Sequence, residues 1–133
     1  MHGQRVNNLL PRVVGATVVA GHKRGRKLGV ATANLAPHGG VFPDLAHGVY
    51  LSRVVLGTRA YPSVSSYGAA LTFNENEVAL ETHIIGLNTD LYGLELQVEL
   101  VAYLRPLKKF DTKNELIAAM EDDIDNALSI LNA

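Results

Sequence analysis

Helical periodicity occurs once in this chain, at its C-terminal end. From Leu116 onward, apolar residues recur at Ile117, Met120, Ile124, Ala127, Leu128 and Leu131, the three- and four-residue spacing that lines one side of an α-helix. Thr112 and Glu115 stand just ahead of this stripe, the spacing at which a hydroxyl and a carboxylate cap a first turn reciprocally. What precedes it alternates with a period of two or is interrupted by glycine and proline. Leu94, Leu96, Val98, Leu100, Ala102 and Leu104 are interleaved with Glu95, Gln97 and Glu99, so a strand here turns the first set to a core and the second to water. β-Branched residues crowd positions 16–20, and a second apolar run spans Gly48 to Leu56. In 78–84, Val78, Leu80, Thr82 and Ile84 share one side of an extended chain, and Glu81 and His83 share the other. Many short antiparallel strands closed by a single helix predict a mainly-β domain, a small barrel or sandwich with the C-terminal helix packed on it.

At 133 residues the chain is long enough for one domain with its own core. A formal charge of −1 provides no global basic field, which argues against general nucleic-acid binding. Cysteine is absent, which removes disulfides, thiolate metal sites and cysteine nucleophiles, and fits a reducing compartment. No apolar run approaches the length of a membrane span, and the opening MHGQR lacks the apolar core of a signal peptide. A soluble cytoplasmic protein is expected, with no membrane partner. It is expected to be a monomer, because no coiled-coil seam or long apolar patch is evident. Residues 1–14, punctuated by Asn7, Asn8 and Pro11, read as a linker or lead-in strand to a domain over 15–133.

Positive charge is concentrated in one place. Residues 21–34 read GHKRGRKLGVATAN, where Gly21, Gly25 and Gly29 permit tight turns and Lys23, Arg26 and Lys27 supply charge, as a loop around phosphates requires. No Gly-Lys-Ser/Thr follows, so this is not the Walker pattern. A solvated basic hairpin is the alternative. Thr32 and Asn34 stand two apart on what reads as extended chain, offering hydroxyl and amide oxygens of the kind Mg²⁺ accepts alongside phosphates; residue type alone favours the alternative, in which they hydrogen-bond a turn. The long Pro/Gly/His-rich segment 37–47 reads as a flap over a site. Glu81, mid-strand, has the chemistry to take a proton from a hydroxyl attacking a phosphate, against the alternative of an ordinary solvent-facing glutamate. His83 is assigned no chemistry. Glu121, Asp122, Asp123 and Asp125 read as a solvated helix face rather than a metal cluster.

Taken in order, Gly15-x-x-Val18-Val19-x-Gly21-x-x-x-Gly25-Arg26-x-Leu28-Gly29-x-x-Thr32-Ala33-Asn34-Leu35, Gly48-Val49-Tyr50, Gly68 ahead of Thr72-Phe73, Glu81-x-His83, Asp90-Leu91-Tyr92-Gly93, Arg105 and Lys109-Phe110 resemble riboflavin kinase. The resemblance runs from Gly15 to the helix. It implies a six-stranded Greek-key barrel with a C-terminal helix, and transfer of the ATP γ-phosphate to the ribityl 5′-hydroxyl of riboflavin, giving FMN and ADP. It further implies Mg²⁺ and nucleotide phosphates at Thr32 and Asn34, a general base at Glu81, the 21–29 loop around the phosphates, and Arg105 and Phe110 at the flavin. The sequence departs from the family pattern at Ala31, Ser66, Leu71 and Gly86. Those departures leave a second expectation open, a flavin-binding module that senses or carries flavin without phosphorylating it. Leu9-Leu10-Pro11-Arg12 resembles the junction that follows the adenylyltransferase half in bifunctional enzymes, so the chain is expected to be either a kinase domain excised from such a protein or a single-domain relative.

Overall fold

The structure, a computed structural model, describes residues 10–22, 30–38, 44–68, 79–87, 89–108 and 113–131. It contains strands β1 (Arg12–His22), β2 (Val30–Pro37), β3 (Gly48–Leu56), β4 (Arg59–Gly68), β5 (Ala79–Ile85) and β6 (Glu95–Arg105), followed by helix α1 (Lys113–Leu131). All neighbours are antiparallel in the order β1-β2-β5-β4-β3-β6, and β6 pairs back onto β1 to close the barrel. β3, β4 and β5 form a meander and β6 returns beside β3, which is a Greek-key connection. The β3–β4 hairpin turns through Gly57 and Thr58. Gly57 has φ 62° while Thr58 has no positive φ, the combination of a type II′ turn, whose twist matches that of the flanking strands.

Pleating sorts the side chains. Val14, Ala16 and Val18 of β1, Leu80 and Ile84 of β5, and Leu96, Val98 and Leu100 of β6 point into the barrel and are buried there together. A second apolar cluster lies outside it, where Val49, Leu51 and Val64 meet Ala127 of α1. Strand β6 does not keep the simple alternation its sequence implies. Leu94 precedes the strand and is exposed, and Ala102 and Leu104 belong to the helix-side cluster rather than the interior. The reason is a pair of irregularities in the β3–β6 ladder: Ser52 pairs with Leu100 but Leu51 with Ala102, and Tyr50 pairs with Tyr103 but Val49 with Arg105. Each extra residue on β6 reverses the facing of those beyond it.

The interior is not wholly apolar. Ser52 Oγ lies 2.6 Å from Ser63 Oγ and 2.7 Å from Ser65 Oγ, and Ser65 Oγ lies 2.9 Å from Thr82 Oγ1. These four residues are fully buried. Hydroxyls survive in such a place because each supplies another's hydrogen bond, and the chain they form crosses β3, β4 and β5.

A charged pair ties the helix to the barrel. Arg105, the last residue of β6, donates from Nε to Asp123 Oδ1 at 2.9 Å and from Nη2 to Asp123 Oδ2 at 2.6 Å, and Nη1 reaches the Pro106 carbonyl at 3.1 Å. The two-point geometry matches a guanidinium to a carboxylate, and the hydrogen bond to Asp123 raises the already high Arg105 pKa against the lowering effect of burial. Asp123 is thus buried, not part of the solvated helix face expected of it, whereas Glu121, Asp122 and Asp125 are exposed. A helical wheel sorts residues by angle only; the end of β6 brings the cation that draws Asp123 inward.

Two stability outcomes follow from this packing. Ser65→Ala removes the middle of the hydroxyl chain and should cost about 1–3 kcal/mol, read as a lower urea midpoint at unchanged m-value. Arg105→Ala leaves the Asp123 carboxylate without its fork. Because Arg105 is partly exposed, the loss should be about 2 kcal/mol, below the ~3–5 kcal/mol of a fully buried pair. Combining it with Asp123→Ala should recover part of that loss in a double-mutant cycle.

Candidate active site

Strand β5 separates two environments with alternate residues. Leu80, Thr82 and Ile84 look into the barrel, as their alternation requires, and Glu81 and His83 lie on the outer side. That outer side is not wet. Glu81 is 4% exposed and His83 9%, so Glu81 is no ordinary solvent-facing glutamate. The same outer surface carries α1, seated on Val49, Leu51 and Val64 through Ala127.

Pairing across β5 assembles two rows of residues. Glu81 stands between Asn34 of β2 and Ser66 of β4, and His83 stands between Thr32 of β2 and Val64 of β4. Ser66 is buried and Asn34 half-buried. His83 Nε2 lies 3.4 Å from Glu81 Oε1. A hydroxyl, an amide and a carboxylate thus line one short strip of sheet, with an imidazole next to it. These are hard oxygen donors and a proton acceptor, suited to holding a cation with its phosphates and to receiving a hydroxyl proton.

The basic loop springs from beside this strip. Gly21 pairs with Ala33 and His22 with Thr32 at the ends of β1 and β2, so the connection between these strands leaves the sheet at the Thr32 row. Lys23, Gly25, Arg26, Lys27 and Gly29, assigned to the phosphates from sequence, lie outside the described residues, as does Phe110, assigned to the flavin. Arg105, assigned to the flavin as well, has its guanidinium engaged by Asp123 and the Pro106 carbonyl.

Beyond Ser66, β4 ends at Gly68 with φ 147°. A Cβ there would fall 2.3 Å from Leu107 Cδ1 and 3.2 Å from His47 Cβ, so the residues after β6 and those before β3 close together over this end of the barrel. The rings of His47 and Tyr67 meet at right angles, with centroids 5.4 Å apart and planes at 89°. Tyr50, inside the barrel, donates its hydroxyl to the Ala46 carbonyl at 2.5 Å. Burial first, then the neighbouring Tyr103 and Tyr67, push its pKa up to about 12, so the hydroxyl keeps the proton with which it holds the end of the 37–47 segment. Gly86, one of the departures from the family pattern, closes β5 with φ 82°, a conformation that strains a residue bearing a Cβ. Among the described residues, no three His, Asp or Glu side chains converge as a ready-made metal cluster, and no helix is long and apolar enough to cross a membrane. Sequence reading missed the His83–Glu81 contact and the Arg105–Asp123 tie; the Glu-x-His spacing on a strand was the available signal for the first.

The riboflavin kinase family model matches residues 10–131. A trifunctional protein RibF/MnmA of Mycoplasmoides gallisepticum is 34% identical over 124 residues, covering 93% of this chain and 19% of its own length. Human riboflavin kinase is 35% identical over 123 residues, covering 89% of this chain and 79% of that protein. The chain spans between 19% and 42% of the fused bacterial relatives. Among solved structures, a Streptococcus pneumoniae protein described as a macrolide-efflux protein superposes with a TM-score of 0.75 at 29% identity, over 92% of this chain and 41% of that one. A family match over nearly the whole barrel and helix, with relatives above 30% identity, places the chain in the riboflavin kinase family.

Proposed function

We propose that this chain transfers the γ-phosphoryl group of ATP to the ribityl 5′-hydroxyl of riboflavin, giving FMN and ADP, at the outer face of β5. The observation that carries the reading is Glu81: a mid-strand carboxylate withdrawn from water, flanked by Asn34 and Ser66 and touched by His83. The 5′-oxygen attacks the γ-phosphorus in line as the bond from phosphorus to the ADP oxygen breaks, and the hydroxyl proton passes to the Glu81 carboxylate. Phosphoryl transfer asks for positioning and charge neutralisation more than for covalent help. One general base in register is what the chain itself supplies to the chemistry.

Thr32 and Asn34 would hold a Mg²⁺ ion, contributing by residue type a hydroxyl and an amide oxygen. The fit rests on their consecutive places in the two rows opposite β5, with Asn34 directly across from Glu81. Bound there with the phosphates, the ion supplies neutralisation of the charge on the transferring group. Lys23, Arg26 and Lys27 add to it from the loop that leaves the Thr32 row, with the backbone of Gly21, Gly25 and Gly29 around the phosphates. Phe110 provides an apolar surface for the flavin. Arg105 is assigned to the flavin by resemblance alone, and its guanidinium is held by Asp123, which fastens α1 to β6.

Incubation with riboflavin, ATP and Mg²⁺, followed by chromatography with fluorescence detection, should yield FMN only when all three are present. Glu81→Gln should lower kcat by about 10²–10⁴-fold while riboflavin and ATP still bind. Saturable riboflavin binding without FMN from the unaltered chain would instead identify a flavin-binding module, and full activity in Glu81→Gln would remove the base assignment.

A further inference from the structure

Glu81 has a neighbour for which the reaction above finds no use. His83 is two residues further along β5, on the same outer side, and its side chain is 11% exposed against 6% for Glu81. Side chains at i and i+2 stand parallel on a strand, roughly 6–7 Å apart at their Cα atoms. Here they lean together until His83 Nε2 is 3.4 Å from Glu81 Oε1. That exceeds the about 2.7–3.2 Å of a fully formed N–H···O bond, and catalytic contacts in ligand-free enzymes commonly stand this far apart and tighten when substrate binds.

A carboxylate has two oxygens, but proton abstraction needs one of them, aimed. A side chain with three rotatable bonds is aimed only if something holds its other oxygen. We propose that His83 is the positioning residue for Glu81: its Nε2–H donates to Oε1 and helps fix the plane in which the carboxylate meets the substrate hydroxyl. The inference rests on the reading of Glu81 as the general base. It does not depend on the charge of the ring, since the neutral tautomer protonated at Nε2 and the imidazolium both donate from that nitrogen. The pleat supports the arrangement from behind. Thr82, between the two residues, is anchored inside the barrel through Ser65 Oγ at 2.9 Å, and β5 is paired on both sides at these positions, so the backbone from which both side chains project is held.

The test compares His83→Leu, which keeps bulk and loses the donor, with His83→Gln, whose amide N–H extends to about where Nε2 stands. Both are made in the parent and in Glu81→Gln, and kcat, KM for riboflavin, KM for ATP and Tm are measured for each. His83→Leu should lower kcat by roughly 10- to 100-fold, the scale of a misplacement near 1 Å, with both KM values within about twofold. His83→Gln should recover most of that loss. In the Glu81→Gln background, His83→Leu should cost nothing further, because there is no base left to aim. The proposal is overturned if His83→Leu retains parental kcat while Glu81→Gln is inactive, or if Leu and Gln lose activity equally and Tm falls with them. Parental activity in Glu81→Gln itself would mark failure of the base assignment instead.

Discussion

Closure of the sheet is the constraint on which the rest of this molecule depends. Because β6 returns to β1, no strand is an edge, and each residue of a strand has its direction decided by the pleat: into a narrow interior or out onto the wall. On β5 this leaves a three-residue segment with two faces of opposite character. Thr82 is committed to the interior hydroxyl chain, and Glu81 and His83 to the outer wall. The polar groups on both faces share one stretch of backbone, so whatever stiffens the inside also fixes the origin of the side chains outside.

The interior hydroxyls do what a larger apolar core would do elsewhere. Ser52, Ser63, Ser65 and Thr82 are small enough for neighbouring walls to approach, and they hydrogen-bond one another. Their chain crosses the β3, β4 and β5 walls directly behind Val64 and Ser66 on the outside. A register slip between β4 and β5 would break these bonds and turn Glu81 inward, so the hydrogen bonds that stabilise the barrel also specify which residues face Asn34 and Ser66.

Outside the barrel, α1 converts an open sheet surface into a covered one. Ala127 permits close approach to Val49, Leu51 and Val64, and the Arg105–Asp123 fork sets where along β6 the helix rests. At the neighbouring end, Gly68 lets Leu107 and His47 come together, and the Tyr50 hydroxyl secures Ala46. The proposed reaction needs a dry, positioned strip beside a cationic loop. Loops set on a rigid closed scaffold are the usual means of providing one.

Local pattern was enough for much of the fold. The C-terminal amphipathic helix, the strand from Gly48 to Leu56 and the division of Leu80, Thr82 and Ile84 from Glu81 and His83 were all legible, because helix and strand periods depend on near neighbours in the chain. Residue type and spacing raised Thr32, Asn34 and Glu81 as candidates, and family resemblance rather than pattern chose between their functional and ordinary readings, since a mid-strand glutamate looks the same in sequence whether it is wet or dry. Only the tertiary structure decided that Glu81 is dry, that Ser66 and Asn34 flank it, that Ala102 and Leu104 turn to the helix side, and that Asp123 is drawn inward by Arg105. Each of these depends on which distant strand supplies the neighbour and in what register, and that is settled by barrel closure and long-range packing, to which no local period in the sequence corresponds.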